Sequence, residues 1–123
     1  MNILITGASG QLGSDCASLL RENHQVSAMD RNKLDIADAG SVKNAIETLR
    51  PDVLINCAVF TQVDACESEI ANARAVNAEG PENLAKAMES IDGRMVQIST
   101  DYVFDGAKKI PEAYSETDAV NPI

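Results

Sequence analysis

The sequence predicts an α/β protein, a doubly wound parallel sheet of the Rossmann type with about four strands in its N-terminal portion. Three observations predict it. A short apolar run at residues 2–6 meets an amphipathic pattern across Gly7-Ala-Ser-Gly10-Gln-Leu-Gly13. Apolar runs and helical patterns then alternate up to about residue 99, the order of a sheet built from β-α-β units. The run Val53-Leu-Ile-Asn-Cys-Ala58 is continuous rather than alternating, with one polar residue near its end, as expected for a parallel strand covered on both faces.

Taken in order, Asn2-Ile-Leu-Ile-Thr6 is the first strand, and apolar residues at Leu12, Cys16, Leu19 and Leu20 give the next segment one face to bury. The glycines between them stand where a dinucleotide loop needs them. One turns the chain, one lets backbone N–H groups approach a pyrophosphate, and one lets the helix pack closely on the strand. Phosphates would sit at the helix N-terminus, where free N–H groups and the helix dipole favour anions. The spacing is G-x-x-G-x-x-G rather than G-x-G-x-x-G, so a tight turn that holds no ligand remains the alternative.

At 123 residues there is room for one domain, spanning 1–123, with 45% hydrophobic and 24% charged residues. A net charge of −9 argues against nucleic acid and anionic membranes as partners, but not against an anionic ligand held by local N–H groups. No segment is apolar enough for a membrane span and the N-terminus has no signal-peptide pattern, so the expected location is cytoplasmic. Cys16, Cys57 and Cys66 lack metal-site spacing and read as reduced core residues. His24, the only histidine, is expected on the solvated surface.

The second strand, from Gln25, ends at Asp30, some 20 residues past the loop, where a carboxylate accepts hydrogen bonds from an adenosine ribose. Arg31 beside it suits a 2′-phosphate instead, so NADH and NADPH both stay open. Asp35 and Ile36 could border an adenine, while Asp38 with Ser41 could simply cap the helix running to Leu49. Pro51-Asp52 ends that helix, and the third strand follows. Residues 67–90 are helical in pattern, with Gly80-Pro81 expected to divide or kink the run. Asn77 reads either as a buried bridge between strand ends or as an exposed residue. The fourth strand, from Arg94, leads to Thr100-Asp-Tyr-Val-Phe-Asp-Gly106, so polar side chains gather at a strand's C-terminal end. Asp64, Glu67 and Glu69 raise Mg2+ as a hard-cation ligand set, against a solvated helix start. The expected strand order is 3-2-1-4, with the fourth strand an exposed edge and self-association of the chain as its consequence.

Together, Ile-Leu-Ile-Thr-Gly-Ala-Ser-Gly-Gln-Leu-Gly, Asp-Arg-Asn-Lys-Leu-Asp-Ile, Arg-Pro-Asp-Val-Leu-Ile-Asn-Cys-Ala, Val-Asp-Ala-Cys-Glu-Ser-Glu, Val-Asn-Ala-Glu-Gly-Pro-Glu-Asn-Leu-Ala and Ile-Ser-Thr-Asp-Tyr-Val-Phe-Asp-Gly resemble the dTDP-4-dehydrorhamnose reductases among the extended short-chain dehydrogenases/reductases. The resemblance implies reduction of the 4-keto group of a dTDP-linked deoxyhexulose with NADPH or NADH, giving dTDP-L-rhamnose. It places the cofactor at Gly7, Gly10, Gln11, Leu12 and Gly13, at Asp30 and Arg31, at Asp35 and Ile36, at Val59, Phe60 and Thr61, and at Ile98. Thr100 and Asp101 fall on the substrate-contacting pair, with Thr100 the catalytic hydrogen-bond donor. Cys57, Val59 and Phe60 depart from the alanines and the tyrosine or histidine more usual at this strand end.

The family's Tyr-x-x-x-Lys motif is expected a short way beyond an Asn-Pro such as Asn121-Pro122, outside these residues, so the chain reads as the cofactor half of the reductase. Tyr102 and Tyr114 are followed four positions later by Gly106 and Asp118, not by lysine. The alternatives are a non-catalytic dinucleotide-binding regulatory subunit of the same fold and a sugar-nucleotide epimerase or dehydratase.

Overall fold

The computed structural model describes residues 1–122; Ile123 and the side chain of Val63 lie outside it. Strands β1 (Asn2–Thr6), β2 (Gln25–Met29), β3 (Val53–Asn56) and β4 (Arg94–Gln97) form one parallel sheet. Helices α1 (Gln11–Leu20), α2 (Ala39–Leu49), α3 (Val63–Ser68), α4 (Ile70–Arg74) and α5 (Gly80–Glu89) connect them. The expected fold class is the observed one.

The strand order is β2-β1-β3-β4, which corrects the expected 3-2-1-4. The third strand lies beside β1, on the side away from β2. Its composition explains this: Val53-Leu-Ile is apolar on both faces and belongs inside a sheet, whereas β2, with Gln25 and Ser27, tolerates an edge. β4 is the other edge, and its Val96 is half exposed.

Side-chain alternation divides the core. Leu4 and Leu54 face one way and join Leu34, Ile36, Val42, Ile46, Leu84 and Met88 in the larger cluster, beneath α2 and α5. Ile3 and Ile5 face the other way and meet Ala17 of α1. The stripe that α1 buries matches the expected one only in part: Cys16 and Leu20 pack on this cluster, Leu12 and Leu19 do not. Gly13 and Ala17 are buried, while Leu12 and Leu19 are 46% and 67% exposed. Size decides here rather than hydrophobicity, because only small side chains let α1 lie this close to the glycine loop.

The run 67–90 also departs from expectation. The break falls at Glu69, between α3 and α4, while the chain passes Gly80-Pro81 without leaving the helix. A π-helical turn, Ala75–Glu79, absorbs the proline by placing it in the first turn of α5, where a missing N–H costs little. Gly80 has no Cβ to meet the proline ring and is helical itself. His24 is half-buried rather than solvated, with its Nδ1 buried and unpartnered among the described residues.

Asp38 caps α2, its Oδ1 accepting from Gly40 N at 2.8 Å and Ser41 N at 3.1 Å. Asp38→Ala should therefore lower stability by about 1 kcal/mol and Asp38→Asn by much less. Urea unfolding followed by circular dichroism reads this as a lower midpoint at unchanged slope, and an unmoved midpoint would remove the cap.

Candidate functional site

The connection leaving β1 runs over one face towards β2, and the connection leaving β3 runs over the other face towards β4. The C-terminal ends of β1 and β3 thus flank the point where the winding reverses, the crevice in which open α/β sheets bind ligands. The glycine loop lies on this crevice, and its three glycines have different reasons for being glycine. Gly7 has φ +67°, and a Cβ there would lie 2.5 Å from Ala58 N and 2.6 Å from the Cys57 carbonyl carbon. A Cβ on Gly13 would overlap the Gly7 carbonyl. Gly10 is different: its φ is −78° and a Cβ would meet only the Gly7 oxygen, at 3.3 Å. The fold does not require a glycine there, so the open space above Gly10 is available to a ligand.

Gly10 is also the N-cap of α1, and no side chain caps that helix end. The first-turn N–H groups, at Gln11, Leu12 and Gly13, have no intrahelical acceptor, and no acidic residue stands in the first turn to compete with an anion. In α2 the Asp38 carboxylate fills the corresponding position. The contrast separates a helix end finished by a side chain from one that is left open, the kind of end that suits an anion.

Beneath the loop runs a polar row that starts from the buried Thr6 and Asn56 and ends at the exposed Gln97. Thr6 pairs in register with Asn56, and Asn56 with Gln97. Thr6 Oγ1 donates to Asn56 Oδ1 at 2.5 Å, Ala58 N donates to the same oxygen at 3.1 Å, and Asn56 Nδ2 donates to Gln97 Oε1 at 2.8 Å. Gln97 Nε2 then donates to Ile98 O at 2.7 Å. Asn56 has no exposed surface, so its amide is oriented entirely by these partners. The sequence reading noted a polar residue in β3 but missed the row. Polar residues of matching parity in three apolar strands are the signal that could have found it.

The remaining predicted residues follow the C-terminal ends of β2, β3 and β4. Ala8 N donates to Met29 O at 3.0 Å, which fixes the loop beside the end of β2. Asp30 follows there, its Oδ1 accepting from Asn32 N and Lys33 N at 3.0 and 3.1 Å, with Arg31 exposed beside it. Asp35 similarly accepts from Ala37 N at 3.0 Å. The Ile36 side chain is 3% exposed and packed in the core against Gly80, which leaves only its backbone to face a cofactor. Val59 and Thr61 are exposed. Phe60 between them is held by Asn77, which accepts from Phe60 N at 2.8 Å and donates to Phe60 O at 3.0 Å. Asn77 thus bridges to a loop rather than to a strand end, and it comes from the π-helical turn.

Ile98, 41% exposed, continues β4, its N–H donating to Asn56 O at 3.3 Å. Thr100 and Asp101 come just beyond, exposed, with Thr100 Oγ1 donating to Asp101 Oδ1 at 3.1 Å and accepting from Tyr102 N at 3.3 Å. The two phenols lie in different settings. Tyr102 is 55% exposed. Tyr114 stacks on Phe104 at 4.4 Å, and its hydroxyl donates to Asp105 at 2.5 Å, which with the Ala107 N–H holds the Asp105 carboxyl below its ordinary range. The Lys108 ammonium lies 4.9 Å from the Tyr114 ring centroid. It lies over the ring and is paired with Asp118 at 2.5 Å, so this Tyr–Lys neighbourhood braces a loop. Asp64, Glu67 and Glu69 do not converge, and among the described residues no three potential ligands gather for a metal. The structure gives Mg2+ no support at this cluster.

The whole chain, residues 1–123, matches the family described as RmlD substrate binding domain. It is 46% identical over 120 residues to a dTDP-4-dehydrorhamnose reductase of Streptomyces griseus, covering 97% of this chain and 39% of that protein. A solved dTDP-4-dehydrorhamnose reductase of Clostridium acetobutylicum is 47% identical and superposes with a TM-score of 0.94, covering 99% of this chain and 43% of that one. Another, from Bacillus anthracis in complex with NADP, is 38% identical with a TM-score of 0.93, covering 98% of this chain and 43% of that one. The chain therefore spans about two fifths of the length of these relatives.

Asn77→Ala should release both polar groups of Phe60 at a cost of about 1 kcal/mol, because the lost bonds are exposed. Amide hydrogen exchange at Phe60 should accelerate several-fold while exchange in β1 is unchanged. Equal Phe60 rates in both proteins would show that Asn77 does not hold the loop.

Proposed function

Because the chain belongs to the family described as RmlD substrate binding domain, we propose that it supplies the dinucleotide-binding part of an NAD(P)H-dependent dTDP-4-dehydrorhamnose reductase. The observation that carries this reading is the uncapped N-terminus of α1, set on the switch-point crevice with space over Gly10. NADP in the Bacillus anthracis relative supports the nicotinamide dinucleotide as ligand class.

In this reading Gln11, Leu12 and Gly13 N–H groups bind the pyrophosphate, and the free carboxylate oxygen of Asp30 or the guanidinium of Arg31 meets the adenosine ribose or its 2′-phosphate. Val59, Phe60 and Thr61 line the path of the cofactor, and Ile98 lies beneath its nicotinamide. The bound cofactor supplies hydride to the 4-keto carbon of a dTDP-linked deoxyhexulose. As negative charge grows on the ketone oxygen, the Thr100 hydroxyl turns its one hydrogen from Asp101 to that oxygen, and Asp101 contacts the sugar. The proton must come from a stronger acid, since an aliphatic hydroxyl releases none near neutral pH. Neither phenol present meets that need: Tyr102 has no lysine partner, and Tyr114 already donates to Asp105. The domain assignment of 1–123 as the cofactor half rests on this division, as does the expectation that the isolated chain self-associates through the open β4 edge.

The test uses residues 1–123 and a longer protein that includes them. The isolated chain should quench or enhance NADPH fluorescence on binding yet reduce no dTDP-4-dehydrorhamnose, whereas the longer protein should turn over. Gly10→Val should abolish NADPH binding at nearly unchanged stability, because the added side chain fills ligand space rather than protein space. Equal NADPH affinity in Gly10→Val would leave the loop an empty turn, and turnover by the isolated chain would relocate the acid to it.

A further inference from the structure

Behind the glycine loop two thiols share one small space. Cys57 follows β3 directly, and its backbone is what a Cβ on Gly7 would strike, while Gly13 packs on the Gly7 carbonyl from the other side. Cys16 lies three residues along α1 from Gly13, on the side that carries Gly13 and Ala17 to the sheet. Cys16 and Cys57 both pack against the cluster of Ile3, Ile5 and Ala17. Both are half-buried, and both are free thiols. Cys66 lies elsewhere, its Sγ 3.9 Å from Phe60 O in the loop that follows β3.

We propose that Cys16 and Cys57 form a dithiol site that mild oxidants, such as hydrogen peroxide, convert to an intramolecular disulfide. The electron balance is simple. A thiolate attacks one peroxide oxygen and becomes a sulfenic acid as hydroxide leaves. The second thiol attacks that sulfur, the S–S bond forms, and the sulfenic oxygen departs as water. Two thiols give up two electrons and two protons, and one peroxide becomes two waters. Burial, reinforced by the neighbouring Cys16, pushes the Cys57 thiol up. Closure should therefore be slow near neutral pH and faster as pH rises, since the thiolate is the reactive form. The bond would join α1 to the end of β3 behind the loop, closing a ring of about forty residues that is already held by packing.

The site does not depend on dinucleotide binding, so its test can fail separately from the reading above. The purified protein, treated with a small excess of peroxide, should become two hydrogens lighter. A non-reducing digest should link the Cys16 and Cys57 peptides and leave Cys66 open to alkylation. The link should form faster at pH 9 than at pH 7, and dithiothreitol should reverse it. Cys66→Ser should react as the unaltered protein does, while Cys16→Ser and Cys57→Ser should each lose the link. Linkage through Cys66, separate oxidation of the two thiols to sulfinic acids, or no oxidation until urea unfolds the chain would each overturn the proposal.

Discussion

The contact on which the site depends is the stack of three backbone segments at Gly13, Gly7 and the Cys57-Ala58 peptide. No side chain intervenes at either interface, since a Cβ on Gly7 would strike β3's end and one on Gly13 would strike Gly7. Helix α1 is consequently drawn tightly onto the loop, and the loop onto β3. This close approach explains why α1 buries Ala17 while Leu12 and Leu19 remain exposed. It also aims the open end of α1 at the crevice between β1 and β3. The geometry that a phosphate would use is thus fixed by backbone packing before any ligand arrives, which lowers the ordering cost of binding.

The polar row beneath the stack makes that placement specific. A purely apolar β3 would satisfy burial in more than one register, but the Asn56 amide has an oxygen and a nitrogen that must both be met in the dry interior. Thr6 and Ala58 N meet the oxygen and Gln97 meets the nitrogen. Slipping β3 by one residue would turn Asn56 to the opposite face, away from both neighbouring side chains, at a cost of several unmade hydrogen bonds. The row therefore couples the register of three strands to the position of Ile98 and, beyond it, of Thr100. Polar residues that weaken a core in energy can narrow it to one arrangement, and here that arrangement aligns the strand ends where the site lies.

Much of this was legible in the sequence, and the failures have identifiable physical causes. The four strands, the glycine turn and the Asp38 cap follow from short-range rules. The strand order did not, because periodicity says which segments are strands without saying which lie side by side. The composition of Val53-Leu-Ile against Gln25-Val-Ser held the missing clue. Reading α1 by hydrophobicity found Cys16 and Leu20, which pack on the core, but not Gly13 and Ala17, since close packing on a glycine loop selects for smallness. Gly80-Pro81 was read as an interruption, but a π-helical turn moved the proline to a position where it is tolerated. That same turn presents Asn77 to Phe60, a pairing across 17 residues that no local pattern encodes.

The chemistry divides along the same lines as the geometry. Strand ends and helix N-termini offer N–H groups and hydroxyls, which stabilise negative charge but release no proton at neutral pH. The α1 N–H groups, Thr100 and the amides of the loop after β3 are of this kind. Tyr114 looks at first like an exception, since a lysine ammonium lies near it. The Lys108 ammonium faces the ring, however, and Asp118 neutralises it, while the phenol proton is shared with Asp105. The Tyr114 hydroxyl is thus spent on Asp105, and the Tyr–Lys pair braces its loop instead of facing the crevice between β1 and β3.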